Sequence, residues 1–380
     1  MHILIAPDSF KGSLAAKEAA QIMAASVKDV FPEATVKLLP MADGGEGTVQ
    51  ALVDYKGGKM MEMEVEGPLG DPVKAHYGVL ADKKTAVIEM ASASGLTLIE
   101  QNRRDPLRTS TYGTGQLIKK ALEDGCEKIF VGIGGSATND GGAGMAEALG
   151  VRFLDEAGNQ VPKGGGALSR ISKIDHTGLA LELSEVEIIV LCDVDNPLTG
   201  KEGASYMYGP QKGADSATVK ELDKNLLHFG QMIRKWCKVD VDALPGAGAA
   251  GGLGAGLIAF AKGRLVPGVE CMLEMVEFEK HLIFSDLVIT GEGRLDRQTA
   301  RGKVIAGIGK AAKKHQVPVV AFAGEIVKDG FEDYGLEAVF SIACGPIKRE
   351  RLMAEAGNYL KSASLQALKT VRMGTKMRGI

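Results

Sequence analysis

Asp286-Leu287-Val288-Ile289-Thr290-Gly291-Glu292-Gly293-Arg294-Leu295-Asp296 is a short apolar run that ends in glycines and charges. At the other end of the chain, His2-Ile3-Leu4-Ile5-Ala6-Pro7-Asp8-Ser9-Phe10-Lys11-Gly12-Ser13 is built the same way. Runs of Val, Ile and Leu separated by helical stretches are the pattern of a parallel sheet covered on both faces. After the first run, a helix from about Lys303 to His315, strands at Val317–Ala323 and Val339–Ala343, and a last helix from about Lys348 to Val371 continue the pattern. After the second, Ser13 reads as the N-cap of a helix to Val30, Thr35–Leu39 as a strand, and another helix follows Thr48. In the doubly wound order 2-1-3-4-5, the switch point falls between the first and third of these five strands. Asp8–Lys11 and Gly291–Asp296 then emerge together, with Asp43–Thr48 one strand away.

The middle of the chain differs. Met60–Val65, Val73–Leu80 and Thr85–Met90 alternate as in an antiparallel meander. A helix near Thr114–Glu123, a strand at Lys128–Ile133, a glycine-rich loop and a helix to Leu149 follow. Glu187–Leu191 reads as a further strand, with helices near Thr218–Trp236 and Leu253–Ala261. The economical organisation is a discontinuous, doubly wound α/β domain, 1–57 plus 285–380, interrupted by a mixed α+β domain, 58–284, with the active site expected in the cleft. A linear two-domain split is the alternative.

Composition bounds the function. The 380 residues carry 45 Lys+Arg against 48 Asp+Glu, and 45% are hydrophobic, which suits a globular chain of two or three domains. The near balance of charge offers no basic stripe for nucleic acid. Five cysteines without a CxxC, and no HExxH, point to reduced thiols and not to a disulfide framework or zinc site. No signal peptide is read at the N-terminus, so a cytoplasmic protein is expected. Ala243–Ala261 is uncharged, but six glycines and a proline leave too little apolar surface for a membrane span.

Glycine supplies the candidate chemistry. Asp-Gly-Gly-x-Gly occurs at Asp43–Gly47 and Asp140–Gly144, each between a strand and a helix. Glycines let backbone approach a phosphate, and a helix N-terminus presents N–H groups to it; a tight turn is the plainer use. The second copy is embedded in Gly134-Gly135-Ser136-Ala137-Thr138-Asn139-Asp140-Gly141-Gly142. No Walker A or protein-kinase motif is present. Gly246-x-Gly248-x-x-Gly251 matches a dinucleotide fingerprint without a good strand before it, so a dinucleotide-dependent oxidoreductase of a small hydroxy acid is one alternative function. A non-catalytic small-anion-binding module is another. Asp8, Asp193, Asp195 and Asp296, beside Ser9, Asn196 and Thr299, are hard oxygen donors suited to Mg2+ held partly by substrate phosphates. Lys11, Arg294, Arg297, Arg301 and Lys303 would suit a carboxylate or phosphate.

The segments Asp8–Leu14, Met41–Thr48, Gly132–Gly142, Cys192–Leu198 and Thr290–Asp296 together resemble the bacterial glycerate kinase family of the class I type, over essentially the whole chain. The resemblance implies a flavodoxin-like domain joined to a second mixed domain. It also implies ATP-dependent, Mg2+-assisted phosphorylation of D-glycerate, to 2-phosphoglycerate more than 3-phosphoglycerate. On that footing, Gly134, Gly135, Ser136, Thr138, Asn139, Asp140, Gly141 and Gly142 are assigned to the nucleotide, and Asp193 or Asp195 to the metal. Asp8, Ser9, Asp43, Glu46 and Arg294 are assigned to glycerate, with Arg294 on its carboxylate. Lys11 would neutralise the transferring group. Asp296 would orient or deprotonate the attacking hydroxyl, with Asp193 as the other candidate base. A monomer or homodimer is expected, with no nucleic-acid or membrane partner.

Overall fold

In a computed structural model, which describes residues 1–296, 303–327 and 334–377, the apolar runs form strands. In chain order these are β1 (His2–Ile5), β2 (Thr35–Leu38), β3 (Gly58–Glu66), β4 (Pro72–Leu80), β5 (Thr85–Glu89), β6 (Lys128–Gly132), β7 (Arg152–Leu154), β8 (Lys173–Asp175), β9 (Glu187–Leu191), β10 (Arg264–Val266), β11 (Leu287–Leu295), β12 (Val319–Ile326) and β13 (Ala338–Ser341). The chain divides into two compact units, Met1–Asp43 with Val269–Ile380, and Gly44–Gly268.

The first unit holds one sheet in the order β13-β12-β11-β1-β2. Every pair is parallel, which is the doubly wound, flavodoxin-like order expected. Ile3, Leu4 and Ile5 are all buried, as a strand covered on both faces requires. The helices Ala16–Val30 and Ala356–Met377 pack together and bury Met23, Val27 and Leu360 with Ile5, Ile289 and Phe322.

Three local expectations change. Ser13 does not cap the first helix, which starts at Ala16 with Ala15 at its N-cap. The Phe10–Leu14 turn closes first, and Ser13 Oγ donates to the Phe10 carbonyl within it. Gly291–Leu295 is strand and not loop, paired to β12 as far as Leu295↔Ile326. Its glycines serve close approach: a Cβ on Gly291 would lie 2.7 Å from the Phe322 carbonyl oxygen. The last helix is two, Arg349–Ala354 and Ala356–Met377. Thr299, Arg297 and Arg301 lie outside the described residues.

The second unit has a mixed sheet in the order β10-β9-β6-β5-β4-β3. The antiparallel meander β3-β4-β5 is as expected, and β5, β6, β9 and β10 run parallel. β7 and β8 pair separately, and like β10 they are three residues long, too short for a periodicity to show. Helix Thr48–Lys56 packs on β4 in this unit. One core joins Ile88, Leu117, Val131 and Leu253, and another centres on Phe153, whose ring meets Phe229 and Phe260 edge-on at 5.6 and 5.7 Å.

Gly246-x-Gly248-x-x-Gly251 follows a turn, not a strand, so it forms no dinucleotide-binding β-turn-α unit. Its glycines are packing positions. Gly251 is left-handed (φ +70°), and a Cβ there would stand 1.9 Å from the Thr138 carbonyl oxygen. A left-handed backbone costs a non-glycine residue about 1–2 kcal/mol, and forced overpacking about 1–3 kcal/mol more. Gly251→Ala should therefore lose about 2–5 kcal/mol in urea unfolding. Gly200→Ala, also left-handed but with nothing within 4 Å of the added methyl, should lose only the smaller, backbone part.

Candidate active site

In the first unit the polar residues gather at the carboxyl ends of the strands. Beyond β1 the chain stays pinned to β11, because Ala6 N–H donates to the Ile289 carbonyl (2.8 Å) and Asp8 N–H to the Gly291 carbonyl (2.9 Å). Thr290 Oγ1 adds a bond to the Ala6 carbonyl (2.8 Å). Asp8, Ser9 and Lys11 are thereby set beside Asp43, which follows β2, and Glu292 and Arg294 of β11. These residues line a cavity of about 530 Å³ together with Lys303, Glu325 and Arg349.

The charges are organised in pairs. Lys11 Nζ donates to Asp43 Oδ2 at 3.1 Å. Lys303 Nζ lies 3.5 Å from Glu292 Oε1 and 3.8 Å from Asp296 Oδ1. Arg294 sits between Asp296 (Nε to Oδ2, 3.2 Å) and Glu325 (Nη1 to Oε2, 3.6 Å). Asp8 is buried, and its Oδ1 accepts the Ser9 N–H at 2.6 Å. Burial first, then the Asp43 carboxylate, pushes its pKa up to about 7, although the Ser9 N–H and Lys11 oppose them.

Of the residues assigned to substrate from the sequence, Asp8, Ser9, Asp43 and Arg294 line this cavity and Glu46 does not. Asp296 is absent from the lining too, and pairs with Arg294 and Lys303, which are part of it. Glu292, which sequence reasoning missed, was marked by its place between Gly291 and Gly293 in a motif already singled out.

The second unit gathers the other set around the Gly134–Gly144 loop. Asp140 is fully buried and accepts from Thr111 N–H (2.8 Å), Thr111 Oγ1 (2.9 Å), Gly142 N–H (3.0 Å) and Gly144 N–H (3.2 Å). Gly141 N–H donates to the Gly251 carbonyl at 3.0 Å. The N–H groups that the sequence reading offers to phosphate at Gly141 and Gly142 are thus bonded within the protein. Thr138, Asn139 and Asp140 are buried, and Asn139 Nδ2 donates to Ser205 Oγ at 3.0 Å. The exposed part of the loop is Gly134 and Gly135, with Ser136 just beneath.

Under Ser136 lies a residue that sequence reasoning missed. Lys212 is buried, and its Nζ donates to Ser136 Oγ (3.0 Å) and the Thr138 carbonyl (2.6 Å). Burial pulls its pKa down to about 7 against the pull of Asp140. A lysine among the turn residues Gly209-Pro210-Gln211-Lys212-Gly213 was the available signal.

The first Asp-Gly-Gly loop repeats the arrangement. Glu89, at the end of β5, accepts the Val49 N–H at 2.8 Å and also bonds the Gly47 and Thr48 N–H groups at the start of helix Thr48–Lys56. After β9, Asp193 Oδ1 accepts the Gly268 N–H (2.8 Å), and Asp195 is exposed. Among the described residues, no group of three or more His, Cys, Asp or Glu is placed to hold a metal ion, and no helix is long and apolar enough to cross a membrane.

A cavity of paired carboxylates and cations at the carboxyl ends of a doubly wound sheet is equipment for binding a small, charged metabolite. The comparisons with known proteins agree with that class. The profile of the Glycerate kinase family matches residues 3–372. A glycerate kinase of Halalkalibacterium halodurans is 51% identical over 365 residues, 95% of this chain and 96% of that protein. A glycerate 2-kinase of Escherichia coli is 46% identical over 381 residues, spanning 100% of both chains. A crystal structure of a candidate glycerate kinase 2 from Salmonella typhimurium LT2 superposes with a TM-score of 0.88 at 45% identity, covering 99% of each chain. The chain therefore belongs to the glycerate kinase family, and it is an enzyme of the phosphotransferase class.

Glu89 makes a testable pH dependence. Burial pushes its pKa from 4.5 up to about 7, against the helix N–H donors. The folded state then holds a proton that the unfolded chain releases, so this contribution to stability is present below the unfolded pKa and is lost as pH rises through about 7. Glu89→Gln keeps an oxygen acceptor without titrating. Its stability relative to wild type in urea should improve on going from mildly acidic to mildly alkaline pH, by on the order of 1 kcal/mol or more.

Proposed function

We propose that the protein transfers the γ-phosphoryl group of ATP to D-glycerate, on the 2-hydroxyl. The observation that carries this reading is the Arg294 guanidinium, held between Asp296 and Glu325 at the wall of a cavity sized for a small molecule. A planar fork braced in this way suits a carboxylate, which it can bind through two parallel hydrogen bonds. Ser9 and Asp43 offer hydroxyl and carboxylate oxygens to the remaining hydroxyls. Lys11, whose charged form is favoured by Asp43 and Asp8 despite the cost of burial, neutralises charge on the transferring group. Phosphoryl transfer asks mainly for positioning and charge neutralisation, which this set supplies.

For the nucleotide, the exposed Gly134 and Gly135 and the underlying Ser136 receive the phosphates. Thr138, Asn139, Asp140, Gly141 and Gly142 form the rigid frame behind them. Mg2+ typically keeps several waters and is bound by one or two carboxylates plus substrate phosphates. Asp193 and Asp195 after β9 fit that modest demand. When bound, the ion neutralises charge on the phosphates.

Incubation with ATP, Mg2+ and D-glycerate, followed by phosphorus NMR of the product, tests the reading. ADP and a phosphomonoester on the 2-carbon are expected. Nucleotide binding without turnover would favour a binding module instead. Arg294→Lys keeps the charge and loses the fork, so the KM for glycerate should rise about tenfold or more, with a smaller change in kcat.

A further inference from the structure

Four carboxylates line the first unit's cavity: Asp8, Asp43, Glu292 and Glu325. Asp43 is bound to Lys11, Glu292 to Lys303, and Glu325 to Arg294. Asp296, outside the lining, is held by both Arg294 and Lys303. Among the described residues Asp8 forms no ion pair; its Oδ1 accepts the Ser9 N–H, which fixes the carboxylate at the end of β1. It is 4% exposed and still borders the cavity. It is thus a desolvated, rigidly placed acid that makes no direct ion pair, although Lys11 on the same loop attracts its charged form.

Resting on the glycerate reading above, we propose that Asp8 is the proton acceptor for the attacking hydroxyl, and that Asp296 is a positioning residue that aims Arg294. The step balances simply. The glycerate hydroxyl oxygen forms a bond to the γ-phosphorus of ATP, and the bond from that phosphorus to the bridging oxygen breaks, its electron pair leaving with ADP. The hydroxyl proton passes to an Asp8 carboxylate oxygen and from there to water.

A general base works best with a pKa near the working pH, and such groups contribute about 10²–10⁴-fold. Asp8 reaches about 7 through burial and the repulsion of Asp43 and Glu292, opposed by Lys11 on its own loop. The cavity is also faced by Arg294 of β11, Glu325 of β12, Lys303 before helix Val304–Lys314 and Arg349 of helix Arg349–Ala354. Below that pKa Asp8 is protonated and cannot accept, so kcat/KM should fall on the acid side of about pH 7.

The experiment compares pH–rate profiles of wild type, Asp8→Asn and Asp296→Asn, with folding checked by circular dichroism. Asp8→Asn should lose about 10²–10⁴ in kcat and lose the acid limb. Asp296→Asn should keep the limb and act mainly on the KM for glycerate. A folded Asp8→Asn enzyme within about tenfold of wild-type kcat overturns the proposal, as does loss of the limb in Asp296→Asn alone. Should Asp8→Asn fail to fold, the other two profiles decide: a limb near neutrality kept in Asp296→Asn supports Asp8, and its absence from wild type overturns it. A wild-type enzyme that releases no ADP with glycerate sinks the glycerate reading itself. An active wild type with an unaffected Asp8→Asn sinks only the assignment of the base.

Discussion

The cavity of the first unit depends on β11 running straight through a stretch whose glycines look like a turn. Its parallel register with β12 holds from Val288↔Val319 to Leu295↔Ile326. Side chains alternate along a strand, so Glu292 and Arg294 share one side and Gly291 and Gly293 the other. The bare side lets the Phe10–Lys11 turn lie on the backbone: a Cβ on Gly293 would come 3.2 Å from the Lys11 nitrogen. The charged side meets Lys303, Asp296 and Glu325, the last being the register partner of Arg294. A slip by one residue would exchange the two sides and dismantle every one of these pairs.

The two Asp-Gly-Gly loops share a different logic. In each, the helix that follows receives a carboxyl acceptor, but one that belongs to the protein: Glu89 for helix Thr48–Lys56, and Asp140 for the helix Ala143–Ala148. The loops also touch, since a Cβ on Gly134 would stand 3.0 Å from the Gly45 Cα. Glycine is needed there for backbone to meet backbone. The second loop consequently presents to solvent only its shoulder at Gly134 and Gly135, with Lys212 bracing the layer below.

The sheet order of the first unit was legible because buried parallel strands are apolar throughout, as Ile3-Leu4-Ile5 and Leu287-Val288-Ile289 are, and because the doubly wound order is common. The meander β3-β4-β5 was legible from its alternation. The strand Gly291–Leu295 was not, since glycine signals both turns and close approach, and only the Phe322 carbonyl beside it decides between them. At the site, Asp8, Lys11, Asp43 and Arg294 stood out as charges at strand ends. The inward role of Asp140 did not, because Thr111, 29 residues away, supplies half of its bonds. Lys212 was hidden for a similar reason: its partners Ser136 and Thr138 are 76 and 74 residues distant.

The chain passes between its units only at Asp43/Gly44 and Gly268/Val269, and this sets an order on the ribosome. β1 pairs with β2 on one side, but its other neighbour, β11, begins at Leu287. Two short strands alone are marginal in water. The whole of Gly44–Gly268, with its own sheet and cores, is synthesised while the amino-terminal strands wait for their central partner. Domains generally fold as units as they emerge, and distant pairings form slowly. The strand Ile3-Leu4-Ile5 thus stays without its central partner until Gly44–Gly268 has emerged, and its apolar edge is exposed for that interval.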